Sequence, residues 1–219
     1  MPSISENISH IKSLLPEHVT LIAVSKTKTN EEILEAYRAG QRDFGENRVQ
    51  ELVPKHEALP KDIRWHLIGH LQTNKVKYVA PFVYMIHSID SEKLLEEVNK
   101  QAAKCNRVIP VLLQVFIAKE ETKFGFSKEE LTAVIEKIDR RVFSNTSLSG
   151  LMGMASNTEN VEQVRAEFRT LKSIFDESFV SNVHAKPGIL STGMSSDWRI
   201  AVEEGSTMIR VGSSIFGTR

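Results

Sequence analysis

Residues 24–28, with the sequence VSKTK, place two lysines at the end of an apolar run that is typical of a β-strand. Side chains alternate along a strand, so Ile22, Val24 and Lys26 share one face, and Lys28 joins them if the strand continues. Partial burial and the nearby charge of Lys28 would favour a neutral Lys26 amine, which is the form that attacks an aldehyde. The alternative is that both lysines lie on a solvated loop.

Two segments rich in glycine and serine are predicted to form an anion site. Residues 190–197, LSTGMSSD, and residues 208–214, MIRVGSS, each follow or end a predicted strand. Hydroxyl and backbone N–H groups of such turns bind anions, and Gly212 would let a ligand approach the backbone closely. In α/β barrels the loops after the seventh and eighth strands commonly bind phosphate, so the two segments are predicted to meet. For the first segment, a serine helix cap without a ligand is the alternative.

Two further polar segments are expected near the same rim. Residues 45–51, GENRVQE, bring Asn47 toward it, although Glu46 is equally well explained as an acidic helix N-terminus. Residues 65–70, WHLIGH, carry two histidines, but a glycine interrupts them and no glutamate lies between them as in a zinc motif. We therefore expect His66 to pack or to form hydrogen bonds at the barrel rim.

An apolar segment and a lone cysteine complete the candidate residues. In residues 150–154, GLMGM, Met152 and Met154 flank a glycine. Such a segment can form a flat apolar floor under a ring, or it can be ordinary core. Cys105 is the single cysteine, so neither an internal disulfide nor a CxxC metal site is expected, which suits a reducing cytosol.

Short apolar runs alternate with helical patterns along the chain, which predicts a parallel sheet with a helix after each strand. The predicted strands are residues 19–24, 42–44, 64–67, 83–87, 108–116, 148–152, 188–190 and 208–211. The predicted helices are residues 30–38, 47–58, 73–79, 91–104, 128–139, 160–175 and 195–203, with Asn30, Ser91 and Ser127 as N-caps and Gly40 at a C′ position. This pattern favours an α/β fold with one domain, residues 1–219, as a (β/α)8 TIM barrel. An open doubly wound sheet is the alternative. A barrel places its chemistry at the carboxyl ends of the strands.

Composition limits the class of function. The 219 residues include 28 basic and 28 acidic side chains, and 41% of the chain is hydrophobic. That apolar fraction supports a large core, while zero net charge provides no bulk field for nucleic acid or an anionic membrane. Residues 1–15 lack the apolar core of a signal peptide, and no run of about eighteen apolar residues would span a membrane. We expect a cytoplasmic protein with a small-molecule ligand.

Taken together, these segments resemble the YggS/PROSC (PLPBP) family of pyridoxal phosphate homeostasis proteins, in family order through nearly the whole chain. The matching stretches are AVSKTK (23–28), FGENRVQE (44–51), WHLIGHLQTNK (65–75), HSID (87–90), KFGF (123–126), GLMGMA (150–155), LSTGMSSD (190–197) and IRVGSSIFG (209–217). His70 departs from the Pro or Gly of many members, in a loop at the rim.

The resemblance implies a barrel similar to the N-terminal domain of alanine racemase, of PLP fold type III, that binds pyridoxal 5′-phosphate (PLP). It implies that Lys26 forms the Schiff base and that Arg210 faces the pyridine nitrogen. It further implies phosphate contacts from Ser191, Ser195, Gly212 and Ser213, Met152 beneath the ring, and a site lined by Lys28, Asn47 and His66.

Two considerations favour a carrier over an enzyme. Arginine only donates hydrogen bonds, so a pyridine nitrogen beside Arg210 stays unprotonated and the cofactor is a weaker electron sink. The sequence ends at Arg219, so we expect no second domain like the one that closes racemase sites, and therefore an open site. We predict a PLP carrier and homeostasis factor, a monomer as the family suggests, with delivery of PLP to apo-enzymes as a further step. A slow amino-acid racemase and a phosphate-binding barrel without PLP are the alternatives.

Overall fold

The computed structural model describes residues 3–117, 124–180 and 188–217. Its strands are β1 Thr20–Val24, β2 Asp43–Glu46, β3 Arg64–Leu67, β4 Met85–Ile89, β5 Ile109–Gln114, β6 Thr146–Met152, β7 Ile189–Ser191 and β8 Met208–Val211. They are parallel and form a closed barrel in chain order, with β8 paired to β1. The predicted barrel is thereby confirmed, and the open sheet is excluded.

Helices cover the outside of the barrel, with α1 before the first strand, α9 after the last and the others between successive strands. They are α1 Ile4–Leu14, α2 Asn30–Arg38, α3 Val49–Ala58, α4 Val76–Val79, α5 Glu92–Lys104, α6 Lys128–Asp139, α7 Val161–Val180, α8 Trp198–Glu203 and α9 Ser213–Phe216, with a 3-10 turn at Thr73–Lys75. The bounds of β3, β8 and α6 coincide with the predicted ones. Ser127 caps α6 as expected, because its side chain accepts a hydrogen bond from the Glu130 N–H.

Two features near the N-terminus differ from the expectation. Helix α1 has no counterpart among the predicted helices, although its buried residues Ile8 and Ile11 follow a helical spacing. The cap of α2 is Thr29 and not Asn30, because the Thr29 hydroxyl accepts a hydrogen bond from the N–H of Glu32, whose carboxylate accepts from the Thr29 N–H.

The core has two layers that follow the alternation of side chains along the strands. Outward residues such as Leu21 and Ala23 of β1 pack against the helices in one large apolar cluster. Inside the barrel, Met85, Leu112 and Met152 form a smaller apolar cluster. No helix in the described ranges is long and apolar enough to cross a membrane.

Candidate functional site

A cavity of about 570 Å³ lies at the carboxyl ends of the strands, where a barrel was predicted to place its chemistry. It is lined by Val24, Lys26, Thr27, Lys28, Asn47, Ile68, Met154, Met194, Ser195, Ser196, Arg210, Gly212, Ser213, Ser214 and Gly217. The loops after β1, β7 and β8 supply most of these residues. The loops after β7 and β8 therefore meet, as the two glycine–serine segments predicted.

The structure brings most of the predicted site residues together but leaves three out. Those that line the cavity are Lys26, Lys28, Asn47, Ser195, Arg210, Gly212 and Ser213. His66, Met152 and Ser191 are fully buried and do not line it. Each points into the barrel, one layer below the cavity.

Lys26 lies in a tight turn directly after β1, and its side chain is exposed at the cavity. The expectation of a partly buried lysine is therefore corrected. The Lys28 N–H donates to the Ser25 carbonyl at 3.0 Å, which closes the turn. Thr27 adopts a left-handed conformation with φ 65°, and its N–H donates to Glu51 Oε2 at 2.7 Å. A non-glycine residue in this conformation is uncommon, so the Glu51 bond helps to hold the turn.

A buried ion pair lies beneath the Lys26 turn and was not found from the sequence. Lys55 Nζ donates to Glu46 Oε1 at 2.7 Å and to the Ser25 carbonyl at 2.8 Å, and Ser25 Oγ donates to the same carboxylate oxygen at 2.6 Å. Burial raises the pKa of Glu46, while the bonds from Lys55 and Ser25 act in the opposite direction. Glu46 is thus the last residue of β2 and lies inside the protein. Both sequence interpretations, a residue at the barrel rim and an acidic helix N-terminus, are therefore corrected.

Lys28 is already engaged by protein groups at the edge of the cavity. Its Nζ donates to the Phe216 carbonyl at 3.1 Å and lies 3.2 Å from Glu32 Oε1. The Lys28 ammonium thus supports the wall between the turn after β1 and α9. Of the two lysines, Lys26 is the one whose amine has no protein partner among the described residues.

The glycine–serine turns present several donors to the cavity. Ser195 Oγ accepts a hydrogen bond from the Gly212 N–H at 3.1 Å, which ties the loop after β7 to the loop after β8. The N–H groups of Ser213 and Ser214 make no hydrogen bond within the described ranges. A Cβ on Gly212 would lie 3.3 Å from the Val24 carbonyl oxygen, so a larger residue here would pack tightly against β1.

Arg210 carries a buried positive charge to the cavity wall. Its Nη1 donates to the carbonyl and hydroxyl oxygens of Ser191 at 2.8 and 2.7 Å, and its Nη2 donates to the Gly153 carbonyl at 3.1 Å. Burial lowers the pKa of Arg210 to about 10, whereas the negative charge of Asp197 opposes this effect. The guanidinium remains charged near neutral pH, and it would be stabilised by an acceptor or an anion in the cavity.

The three residues that lie below the cavity have other partners. His66 Nδ1 lies 2.9 Å from His87 Nε2, and His66 Nε2 lies 3.0 Å from Asp43 Oδ1. The Ser191 hydroxyl accepts a hydrogen bond from Arg210 and does not line the cavity, and its expected contact to a phosphate stays a prediction. Met152 packs within the barrel, and Met154, two residues later, lines the cavity.

The fold defines a class, the fold type III barrels, and the cavity at the carboxyl ends of its strands is lined by lysines, an arginine and turns rich in glycine and serine. The family described as alanine racemase, N-terminal domain, matches residues 1–219. Alanine racemase from E. faecalis has the same fold, with a TM-score of 0.77 at 18% identity, and the chain covers 58% of it.

Sequence comparison then identifies the family within this class. The chain is 44% identical over 200 residues to the pyridoxal phosphate homeostasis protein of Aquifex aeolicus (91% of this chain, 86% of that protein). It is 40% identical over 210 residues to that of Homo sapiens (91% and 76%). PipY of Synechococcus elongatus PCC7942, solved with PLP bound, superimposes with a TM-score of 0.90 at 38% identity, over 98% of this chain and 100% of PipY. The chain belongs to the family of pyridoxal phosphate homeostasis proteins.

Proposed function

We propose that this protein binds PLP in the cavity at the carboxyl ends of the strands and holds it as a Schiff base on Lys26. The observation that carries the proposal is the combination of three unlike groups around one cavity. The free Lys26 amine suits the aldehyde, the Ser195, Gly212 and Ser213 turns suit the phosphate, and the buried Arg210 suits the pyridine nitrogen.

The cavity fits PLP in chemical character as well as in placement. Its wall near β8 provides N–H donors and hydroxyls for a dianion, and Met154 and Met194 provide apolar surface for a ring. Asn47 and Lys28 lie on the side of the β1 turn. We assign the apolar contact to Met154 rather than to Met152, because Met152 lies one layer deeper.

We further propose that the protein is a cytoplasmic, single-domain and monomeric carrier, and not an efficient enzyme. When bound, PLP can stabilise a carbanion, but only weakly beside an arginine that cannot protonate its ring. A racemase also needs an acid and a base on opposite faces of the substrate. Among the described residues that line the cavity, the two lysines are the only groups with ordinary acid–base chemistry, and Lys28 is engaged by Phe216 and Glu32. The exposed Lys26 turn suits transfer of PLP to apo-enzymes.

Borohydride reduction tests the proposed attachment directly. Purified protein loaded with PLP is reduced, digested and analysed by mass spectrometry, and we expect a phosphopyridoxyl group on the peptide that contains Lys26. A modified Lys28 peptide alone, or no stable adduct in protein with bound PLP, would refute the attachment. Incubation of the loaded protein with L-alanine and L-serine tests the carrier role, because rapid formation of D-isomers would establish a racemase instead.

Replacement of Arg210 tests the other end of the cavity. We expect Arg210→Ala to retain some PLP, to weaken binding by about tenfold and to shift the visible band, since a charged hydrogen bond to the ring is lost. Equilibrium dialysis and the absorption spectrum measure both effects. Arg199→Ala, which removes an exposed arginine from the first turn of α8, is the control and should leave both unchanged. Unaltered affinity and spectrum in Arg210→Ala would contradict the ring assignment.

A further inference from the structure

A chain of polar side chains crosses the barrel interior from the amino-terminal mouth to the wall of the cavity. It begins at Asp43, the first residue of β2, and continues through His66 of β3 and His87 of β4. His87 Nδ1 lies 3.2 Å from Ser191 Oγ at the end of β7, and Ser191 Oγ lies 2.7 Å from Arg210 Nη1. Both histidines and Ser191 are fully buried, so the protein itself must satisfy their polar atoms.

The chemistry of the two ends sets the direction of every hydrogen bond in this chain. Arg210 can only donate, so Ser191 Oγ accepts from it and has its own hydrogen to donate to His87 Nδ1. A His87 ring that accepts at Nδ1 carries its proton on Nε2 and donates to His66 Nδ1. His66 then carries its proton on Nε2 and donates to the Asp43 carboxylate. One pair of tautomers therefore satisfies all of the groups.

The opposite direction fails at the Asp43 end. If His87 were protonated on Nδ1, His66 would have to donate from its own Nδ1, and its bare Nε2 would face the Asp43 carboxylate. That contact requires a protonated Asp43, whereas Asp43 is ion-paired with the guanidinium of Arg64, which opposes the effect of burial and favours the ionised carboxylate. Burial also lowers the pKa of both histidines, so neutral rings are favoured.

We propose that Asp43, His66, His87 and Ser191 act as one positioning unit, which fixes the guanidinium of Arg210 from the opposite end of the barrel. Asp43 is itself held by Arg64, whose Nε donates to Oδ1 at 2.7 Å and whose Nη2 contacts Oδ2. Through this unit, the orientation of the Asp43 carboxylate determines the orientation of the Ser191 hydroxyl, which is far from it in the sequence. His66 and Ser191 thus serve the site without touching its ligand. That the positioned guanidinium meets a pyridine nitrogen rests on the proposed function, whereas the unit itself does not.

The first test needs no ligand and no substitution. Two-dimensional ¹H–¹⁵N spectra that correlate the ring nitrogens and carbons of histidine report which nitrogen carries the proton. In the wild-type protein without PLP at neutral pH, we expect His66 and His87 both to be neutral and protonated on Nε2. A doubly protonated ring, or an Nδ1-protonated tautomer at either position, would overturn the proposal whether or not the protein binds PLP.

The second test breaks the chain at its centre and then restores it. His87→Phe keeps an aromatic ring but leaves the Ser191 hydroxyl without its acceptor, so we expect faster rotation of the Arg210 guanidinium in ¹⁵N spectra. We also expect PLP binding to weaken by about two- to tenfold, the range for one lost hydrogen bond. His87→Gln has an acceptor and a donor on one side chain and should recover most of both losses. If Arg210 behaves as in the wild type in folded His87→Phe, the unit does not position it.

The third test acts at the far end of the barrel. Asn at position 43 is able to donate as well as accept, so Asp43→Asn allows the Nδ1-protonated tautomer of His66 that the carboxylate excludes. We expect a mixture of tautomers at His66 and a measurable change in the Arg210 signals, although position 43 does not line the cavity. Unchanged His66 and Arg210 signals in this variant would contradict coupling along the chain. If neither the wild-type protein nor any variant binds PLP, the proposed function is wrong. The histidine and Arg210 spectra then still show whether the positioning unit exists.

Discussion

Lys26→Ala is expected to abolish the visible absorption band of PLP-loaded protein and all borohydride-stable labelling. The Lys26 amine is the free amine of the cavity among the described residues, so no neighbouring amine is positioned to replace it. PLP should still bind without a covalent bond, because the glycine–serine turns and Arg210 are unchanged. Absorption spectra, reduction with mass spectrometry and equilibrium dialysis separate these two effects.

Lys28→Ala is the matched control, since this lysine lies two residues away and lines the same cavity. Its ammonium is held by the Phe216 carbonyl and Glu32, so its loss should leave the covalent attachment on Lys26. Removal of these contacts should loosen α9 and weaken retention of PLP only modestly. If Lys28→Ala loses the adduct and Lys26→Ala keeps it, then Lys28 forms the Schiff base and the attachment proposed for Lys26 is wrong.

The barrel was predictable because its strands and helices carry strong local signals. Ser91 and Ser127 cap α5 and α6 as expected, and Gly40 has the positive φ of 84° that suits the residue after a helix. β2 was placed too early, at residues 42–44, whereas the strand runs Asp43–Glu46. A charged residue at the end of a strand is predicted to be exposed. Glu46 is buried instead, because its carboxylate forms an ion pair with Lys55 on the following helix.

In the site, the sequence predicted the inward face of β1, whose Val24 and the following Lys26 line the cavity, but it did not predict the depth of the residues on β3 and β6. His66 and Met152 point into the barrel as the alternation requires, and both lie one layer below the cavity. The residues two positions later, Ile68 and Met154, are the ones that line it. Depth depends on the tilt and register of the strands, including an irregularity between β5 and β6, and these are set by pairing between strands.

The polar interior was not predictable because its contacts join residues that are far apart in the sequence and lie on different strands. His87 appeared only within the HSID stretch, yet its ring contacts both His66 and Ser191. Its position in an otherwise apolar predicted strand is the one sequence signal that indicates a polar contact, since a buried histidine requires hydrogen-bond partners. Its contact to His66 joins the neighbouring strands β3 and β4, whereas its contact to Ser191 depends on closure of the barrel, because β7 approaches β4 only across the interior.

Loss of Lys55 should have the largest effect on stability. Lys55→Met preserves much of the length and apolar surface of the side chain but leaves the fully buried Glu46 carboxylate without its cation. Breaking a buried ion pair in this way costs about 3–5 kcal/mol, so we expect the free energy of unfolding to fall by that amount. Urea unfolding followed by circular dichroism measures it. Lys100→Met removes an exposed lysine from α5 and should change stability by less than about 0.5 kcal/mol.

The pH dependence of Lys55→Met identifies the cause of this loss. Without the lysine, the pKa of Glu46 in the folded state should rise further above its unfolded value, because burial already raises it in the wild type. The unfolded state then binds fewer protons than the folded state at pH values above the ordinary glutamate range, so stability falls as pH rises. The double variant Lys55→Met with Glu46→Gln should be more stable than Lys55→Met alone near pH 8 and should lose this slope. A loss of stability that is equal at pH 5 and pH 8 would show that packing, and not the buried charge, accounts for the role of Lys55 beneath the Lys26 turn.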